Sequence, residues 1–293
     1  MFAVPAMVSR GLAHLVSRWR RPWSQAPGMK RVRALAVLAV ALSAGGVIAA
    51  TQLTLDLRPY SDAPAANHAN RFDGFGYLQS ALLDRVADDV DAARAAGSTR
   101  PVSELAAVAW RGVTESPSTW HPFCVCVVEE GCPCKTFKDI FSDWPPEELD
   151  ADVHDLVAQV PATRPTRTQI LDAVRANRTI SNLAAVTRGY DDTMAQVEAV
   201  ARGARSPAAF YRDLAVREQQ WTAALRGDDR DFLLQGAAMA RNLVQYADNT
   251  SGVQLAARWV DCAFLGAAVG CWPGSVVFGG GCAVNNVPWY PIP

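Results

Sequence analysis

No acidic residue precedes Asp56, and no residue of either charge follows Asp261. Beyond the first fifty residues only two lysines occur, Lys135 and Lys138. The H-E-x-x-H, G-x-S-x-G, G-x-G-x-x-G and phosphate-loop patterns are missing, which removes the readings those motifs carry: zinc protease, serine hydrolase, dinucleotide binder and P-loop nucleotidase. Histidine is scarce as well. After residue 50 only His68, His121 and His154 could serve as a general base, and no nucleophile stands at a telling distance from any of them. A Cys282 nucleophile behind the run Gly279, Gly280, Gly281 would need such a base, and the spacing supplies none. The expectation is a protein that is not an enzyme and carries no cofactor.

The first absence defines a leader. Seven basic residues (Arg10, Arg18, Arg20, Arg21, Lys30, Arg31, Arg33) stand in an acid-free start, followed by 22 uncharged residues, 34–55. A basic flank, an apolar run and small residues at its end are the parts of a secretory signal, complete from Met29 with cleavage after Ala49 or Ala50. Residues 1–28 then form a basic extension. The same uncharged run is also long enough for an uncleaved anchor, with its basic flank left inside. An Arg-rich, acid-free start resembles an organelle transit peptide too. All three place the body outside the cytosol; export makes it periplasmic or secreted, and the anchored case adds membrane association through residues 34–55.

Without the leader's seven cations, the chain's 28 basic and 29 acidic residues become 21 against 29, a net charge of −8. So acidic a body argues against non-specific nucleic-acid binding, which needs clustered cations.

Residues 51–74, polar and rich in Pro and Asn, read as a linker. After them the apolar period is helical. Leu78, Leu82, Val86 and Val90 form one stripe, closed by Gly97, and a second helix after Pro101 makes 75–118 a helical hairpin. Residues 143–261 read as a helical domain. In it Val153, Leu156, Val157 and Val160 repeat at helical spacing up to Pro161, and Thr166 with Gln169 has the form of a capping box. Ser206 followed by Pro207 is a strong start signal. Gly236 lies on the apolar stripe of Phe232, Met239 and Leu243, where it would admit a neighbouring helix closely.

Between these helical parts, residues 119–142 hold "CVCVVEEGCPC". As an antiparallel hairpin turning at Gly131, this stretch would put all four sulfurs on one face. Opposed Cα atoms about 4.5–5.5 Å apart suit disulfides Cys124–Cys134 and Cys126–Cys132. The same face could bind a metal through Cys124, Cys126, Cys132 and Cys134, with His121 as an extra ligand. Cu(I) fits the Cys-x-Cys spacing better than zinc. A thiol-redox pair is the third option. Oxidation outside the cytosol favours the staple.

The uncharged end, residues 262–293, contains Cys262, Cys271 and Cys282 among six glycines and two tryptophans. Glycine at that density costs order, so the expectation is an irregular segment tied down by one disulfide among the three cysteines. With seven cysteines in all, one thiol is left over. Pro273 and the triple glycine cut the run into pieces too short for a clean membrane span. Such a tail reads as an apolar, disulfide-tied cap docked on the helices, or as a surface that binds a protein partner through residues 262–293.

The fold class expected is mainly α: an exported helical bundle with a small Cys-rich β-hairpin insertion and a Gly/Cys-rich irregular C-terminal segment. The function expected is protein–protein contact in an envelope or extracellular assembly, such as a secretion or conjugation apparatus. The alternatives are a copper- or zinc-binding or thiol-redox protein built on the four-cysteine cluster, and a membrane-active, toxin-like protein using the tail.

Overall fold

The computed structural model describes residues 55, 57–115, 146–250 and 252–286. Within them the chain forms α1 (Arg58–Ser61), α2 (Asp73–Ala95), α3 (Val102–Thr114), α4 (Pro146–Val157), α5 (Arg167–Asn177), α6 (Leu183–Ala201), α7 (Pro207–Ala224), α8 (Gly227–Thr250) and α9 (Ala256–Asn286), with a 3-10 turn at Val253–Leu255. The protein is mainly α, and no strand occurs among the described residues. The cysteine segment, residues 119–142, lies outside them, and with it the β-hairpin, Cys124, Cys126, Cys132, Cys134 and His121.

Several helix ends follow local chemistry. Thr166 accepts from the Gln169 amide while the Gln169 side chain accepts from the Thr166 amide, so two orphan donors at the start of α5 are satisfied together. Ser206 accepts from the Ala209 amide with Pro207 at the first helical position of α7. Beyond α2, Gly97 takes φ +84°, the left-handed conformation that favours glycine. The stripe Leu78, Leu82, Val86 and Val90 is buried, and α2 packs on both α3 and α8.

α9 corrects the expected irregular tail. Helical structure runs from Ala256 to Asn286 with Pro273 inside it, yet the element is not straight. Twenty residues of straight helix would separate Cys262 from Cys282 by about 30 Å, whereas their Cα atoms are 6.4 Å apart and the sulfurs are bonded. The helix therefore doubles back near residues 270–273, where Pro273 removes a ladder hydrogen bond. The two arms touch backbone to backbone: a methyl group on Gly266 would land on the carbonyl of Gly274, and the reverse. Glycine is dense here because the arms and their neighbours leave no room for Cβ. Gly279 faces Gln79 and Ala263, Gly280 faces Trp110, and Gly236 of α8 faces the Phe264 ring.

This hairpin is the centre of the fold. Helices α2, α3, α4, α5, α6 and α8 all pack on it. Residues 262–284 are buried except for half-buried Leu265 and Val269, the Cys271 side chain lying outside the description. A helix apolar on every face has to be enclosed, and burial of these side chains stabilises the fold by about 1.5–3 kcal/mol for each large one. Trp272, at the bend, stacks on Phe75 of α2 with centroids 4.5 Å apart.

From Leu57 onward the stretch read as a linker is part of the body. Leu57 and Ala65 are buried. The guanidinium of Arg241, itself 0% exposed, donates to the Ala65 carbonyl, to Asp73 and to Glu218. Asn67 and Asn70 donate to the Glu218 carboxylate, and Tyr77 donates to Asp73. Segment 63–73 is thus fastened to α7 and α8 by a buried clasp whose charged groups are all paired.

Candidate binding cleft beside the hairpin

Asp261 is the last charged residue of the chain and sits at the base of the hairpin's first arm. Its side chain is only 3% exposed. Two donors hold it there. The Tyr190 hydroxyl donates to Oδ1 at 2.7 Å and Arg164 Nε donates to Oδ2 at 2.5 Å. Burial pushes the Asp261 carboxyl above its ordinary range, against the opposing pull of Tyr190 and Arg164. Burial, with the Asp261 charge behind it, also pushes the Tyr190 phenol upward.

Around Asp261 opens a cleft of about 490 Å³. One wall is the loop entering α5, with Arg164, Pro165, Thr166 and Arg167; the other is a face of α6, with Asp191, Met194, Ala195 and Glu198. The loop is positioned by the Thr166–Gln169 box and by Arg258 Nη2, which donates to the Ala162 carbonyl at 2.7 Å. The spacing of residues 191, 194, 195 and 198 puts all four on one side of α6. Arg167 is bidentate on Asp191, at 2.6 and 2.7 Å, and Arg164 Nη2 reaches Glu198 at 3.0 Å. Pro165, Met194 and Ala195 add apolar lining. A concave site of this size, with convergent polar groups and a buried carboxyl of raised pKa, has the features of a ligand site.

The cysteines and histidines distribute differently. Cys262 and Cys282 are bonded to each other within the core, both 0% exposed. A bonded sulfur is no nucleophile, so Cys282 has no catalytic part in this form. Cys271 lies at the bend of α9. His154 is exposed on α4 beside Asp155, and His68 is exposed near Tyr77. Asp228 and Asp229 hold the turn before α6: Asp228 accepts from the Thr179 amide, Asp229 from those of Ser181 and Asn182. Among the described residues no cluster of three His, Cys, Asp or Glu side chains could hold a metal, and no helix is long and apolar enough to cross a membrane.

The cleft was not legible as a motif. Its members come from three separated parts of the chain, and the one sequence signal was Asp261 itself, a lone acid at the margin of an uncharged run. Compared with known proteins, the chain matches no family model, no curated protein and no solved structure.

Proposed function

We propose that the chain is an exported, disulfide-stapled helical protein that acts by contact with another protein in an envelope or extracellular assembly. The observation that carries this reading is the Cys262–Cys282 bond in the core, because disulfides persist in oxidising compartments. The acid-free basic leader agrees with it. Residues 262–284 are taken up by the core, so the part of the tail assigned to contact is residues 287–293, "VPWYPIP", with Trp289 and Tyr290 as the anchors typical of interfaces. In the same oxidising setting the Cys124–Cys134 and Cys126–Cys132 pairs are read as staples of a hairpin, with copper or zinc binding as the rival.

Two measurements test this. Intact mass of the exported protein, after denaturing alkylation with and without reduction, should show a start near residue 50 and one free thiol. Four more free thiols with bound metal would move the function to the four-cysteine cluster. Cross-linked partners should be lost when the chain is cut after Asn286. Partner recovery unchanged by that cut would end the contact reading.

The enclosed, uncharged hairpin also favours a second reading, membrane activity on release from the bundle. It requires dye leakage from liposomes by the intact chain.

A further inference from the structure

The hydrogen-bonding capacity of the cleft is unevenly used. Both oxygens of Asp261 accept, from Tyr190 and Arg164, and both oxygens of Asp191 accept from Arg167. Glu198 accepts from Arg164 through one oxygen, and its other oxygen faces Arg202 at 3.6 Å. Each carboxylate of the cleft is therefore already ion-paired. On the donor side, Arg164 uses Nε and Nη2, and Arg167 uses Nε and Nη2. Among the described residues neither Nη1 has a partner, and both side chains are about half exposed.

What the cleft can offer a newcomer is thus a pair of guanidinium edges, each already oriented by a carboxylate. Their natural complement is another carboxylate, since planar N–H forks match that geometry. Met194, Ala195 and Pro165 line the same cleft and would take an apolar stem. We propose that this cleft is a subsite for a carboxylate carried on a short apolar stem. Building on the contact reading above, that carboxylate is a C-terminus or an acidic side chain of the partner protein.

The charge balance gives the proposal a signature. Two guanidiniums line the cleft with three carboxylates, and Arg202 stands outside it against the second oxygen of Glu198, so the whole group is near neutral. Uptake of a proton by Asp261 makes it more positive and favours an added anion. The charged and titratable groups facing Asp261 are Arg164 and the Tyr190 hydroxyl, with Glu198 and its partner Arg202 beyond them; Arg167 and Asp191 share the cleft. Carboxylate binding is therefore tied to protonation of Asp261 and tightens as pH falls from neutrality toward its raised pKa.

The test uses the full-length body with methyl-labelled methionine, the Met194 signal being assigned through Met194→Leu. N-acetyl-leucine is titrated, with N-acetyl-leucinamide, N-acetyl-aspartic acid α-amide (its β-carboxylate free) and N-acetyl-lysinamide as the neutral, side-chain acid and cationic probes. The Met194 methyl should shift with N-acetyl-leucine and not with its amide. Comparison with the aspartyl probe tells a chain terminus from an acidic side chain. Arg167→Ala, at an exposed position where folding is not at risk, should weaken binding about tenfold. Asp261→Asn should tighten binding and flatten its pH dependence. The proposal is overturned if the amide or the lysyl probe shifts Met194 as much as the acid, if Arg167→Ala changes nothing, or if no probe binds. Acid binding that persists while the cut after Asn286 spares partner recovery would leave the subsite standing and remove the tail as the contact.

Discussion

Breaking the Cys262–Cys282 bond should weaken the fold without dissolving it. The bond closes a loop with a sequence separation of 20, for which loop-closure entropy gives about 3 kcal/mol. Deleting two sulfurs from a packed core adds a packing cost on the order of 1 kcal/mol. The variant Cys262→Ala/Cys282→Ala should therefore lose about 3–4 kcal/mol, close to a 1 M drop in urea midpoint at a slope of about 3 kcal/mol per molar. Substitution is preferable to a reducing agent, because it confines the change to this one bond. Far-ultraviolet circular dichroism should be unchanged before the transition, because the Gly266–Gly274 crossing still brings the arms together. A midpoint that does not move would refute the claim that the bond restrains the unfolded chain. Loss of helix in the native baseline would show instead that the bond, and not the packing, makes the hairpin.

Three further outcomes follow from the same geometry. Gly266→Ala drives a methyl into the Gly274 backbone, which cannot rotate away, and should cost about 3 kcal/mol or more by urea unfolding; Gly112→Ala on α3 meets nothing within 4 Å and should gain about 0.5–1 kcal/mol. Arg241→Leu leaves Asp73 and Glu218 buried without their cation and should cost about 3–5 kcal/mol. Tyr60, Tyr77, Tyr190, Tyr211 and Tyr246 are all pushed upward, burial being the leading cause. The unfolded chain loses these protons from about pH 10 while the folded one keeps them, so stability falls as pH rises past that point. Tyrosinate absorbance of the native protein slightly above pH 10 should account for no more than one of the six tyrosines; a full-amplitude titration would show the phenols to be exposed.

What the sequence announced was local. The capping box at Thr166, the Ser206–Pro207 start and the stripe from Leu78 to Val90 are each decided within a few residues, and each appears in the fold. What it hid was decided by distant partners. Asn67 and Asn70 look solvated in a Pro- and Asn-rich stretch, yet their amides are taken by Glu218, about 150 positions away. The glycines of 262–286 look like a cost in order, which is true of an isolated segment. Inside a hairpin they are the condition for contact, at Gly266 against Gly274 and at Gly280 against Trp110. Gly236 was the exception that could be read, because it interrupts an otherwise regular apolar stripe; the Phe264 ring lies against it.

The hairpin also decides how the contact reading has to be examined. An uncharged, cysteine-bearing tail invites deletion as one block, from residue 262 onward. That deletion would remove the element on which α2, α3, α4, α5, α6 and α8 converge, so loss of a partner would then report unfolding and not loss of an interface. The chemistry separates the two roles inside the tail. Up to Val284 the described side chains are buried or half-buried, and Asn285 is the first exposed residue after them. A cut after Asn286 spares the staple, the glycine crossing and the stack of Trp272 on Phe75. It should leave the urea midpoint where it was. Only under that condition does a change in partner recovery speak about contact, and a midpoint lowered by the cut would mean that "VPWYPIP" belongs to the core as well.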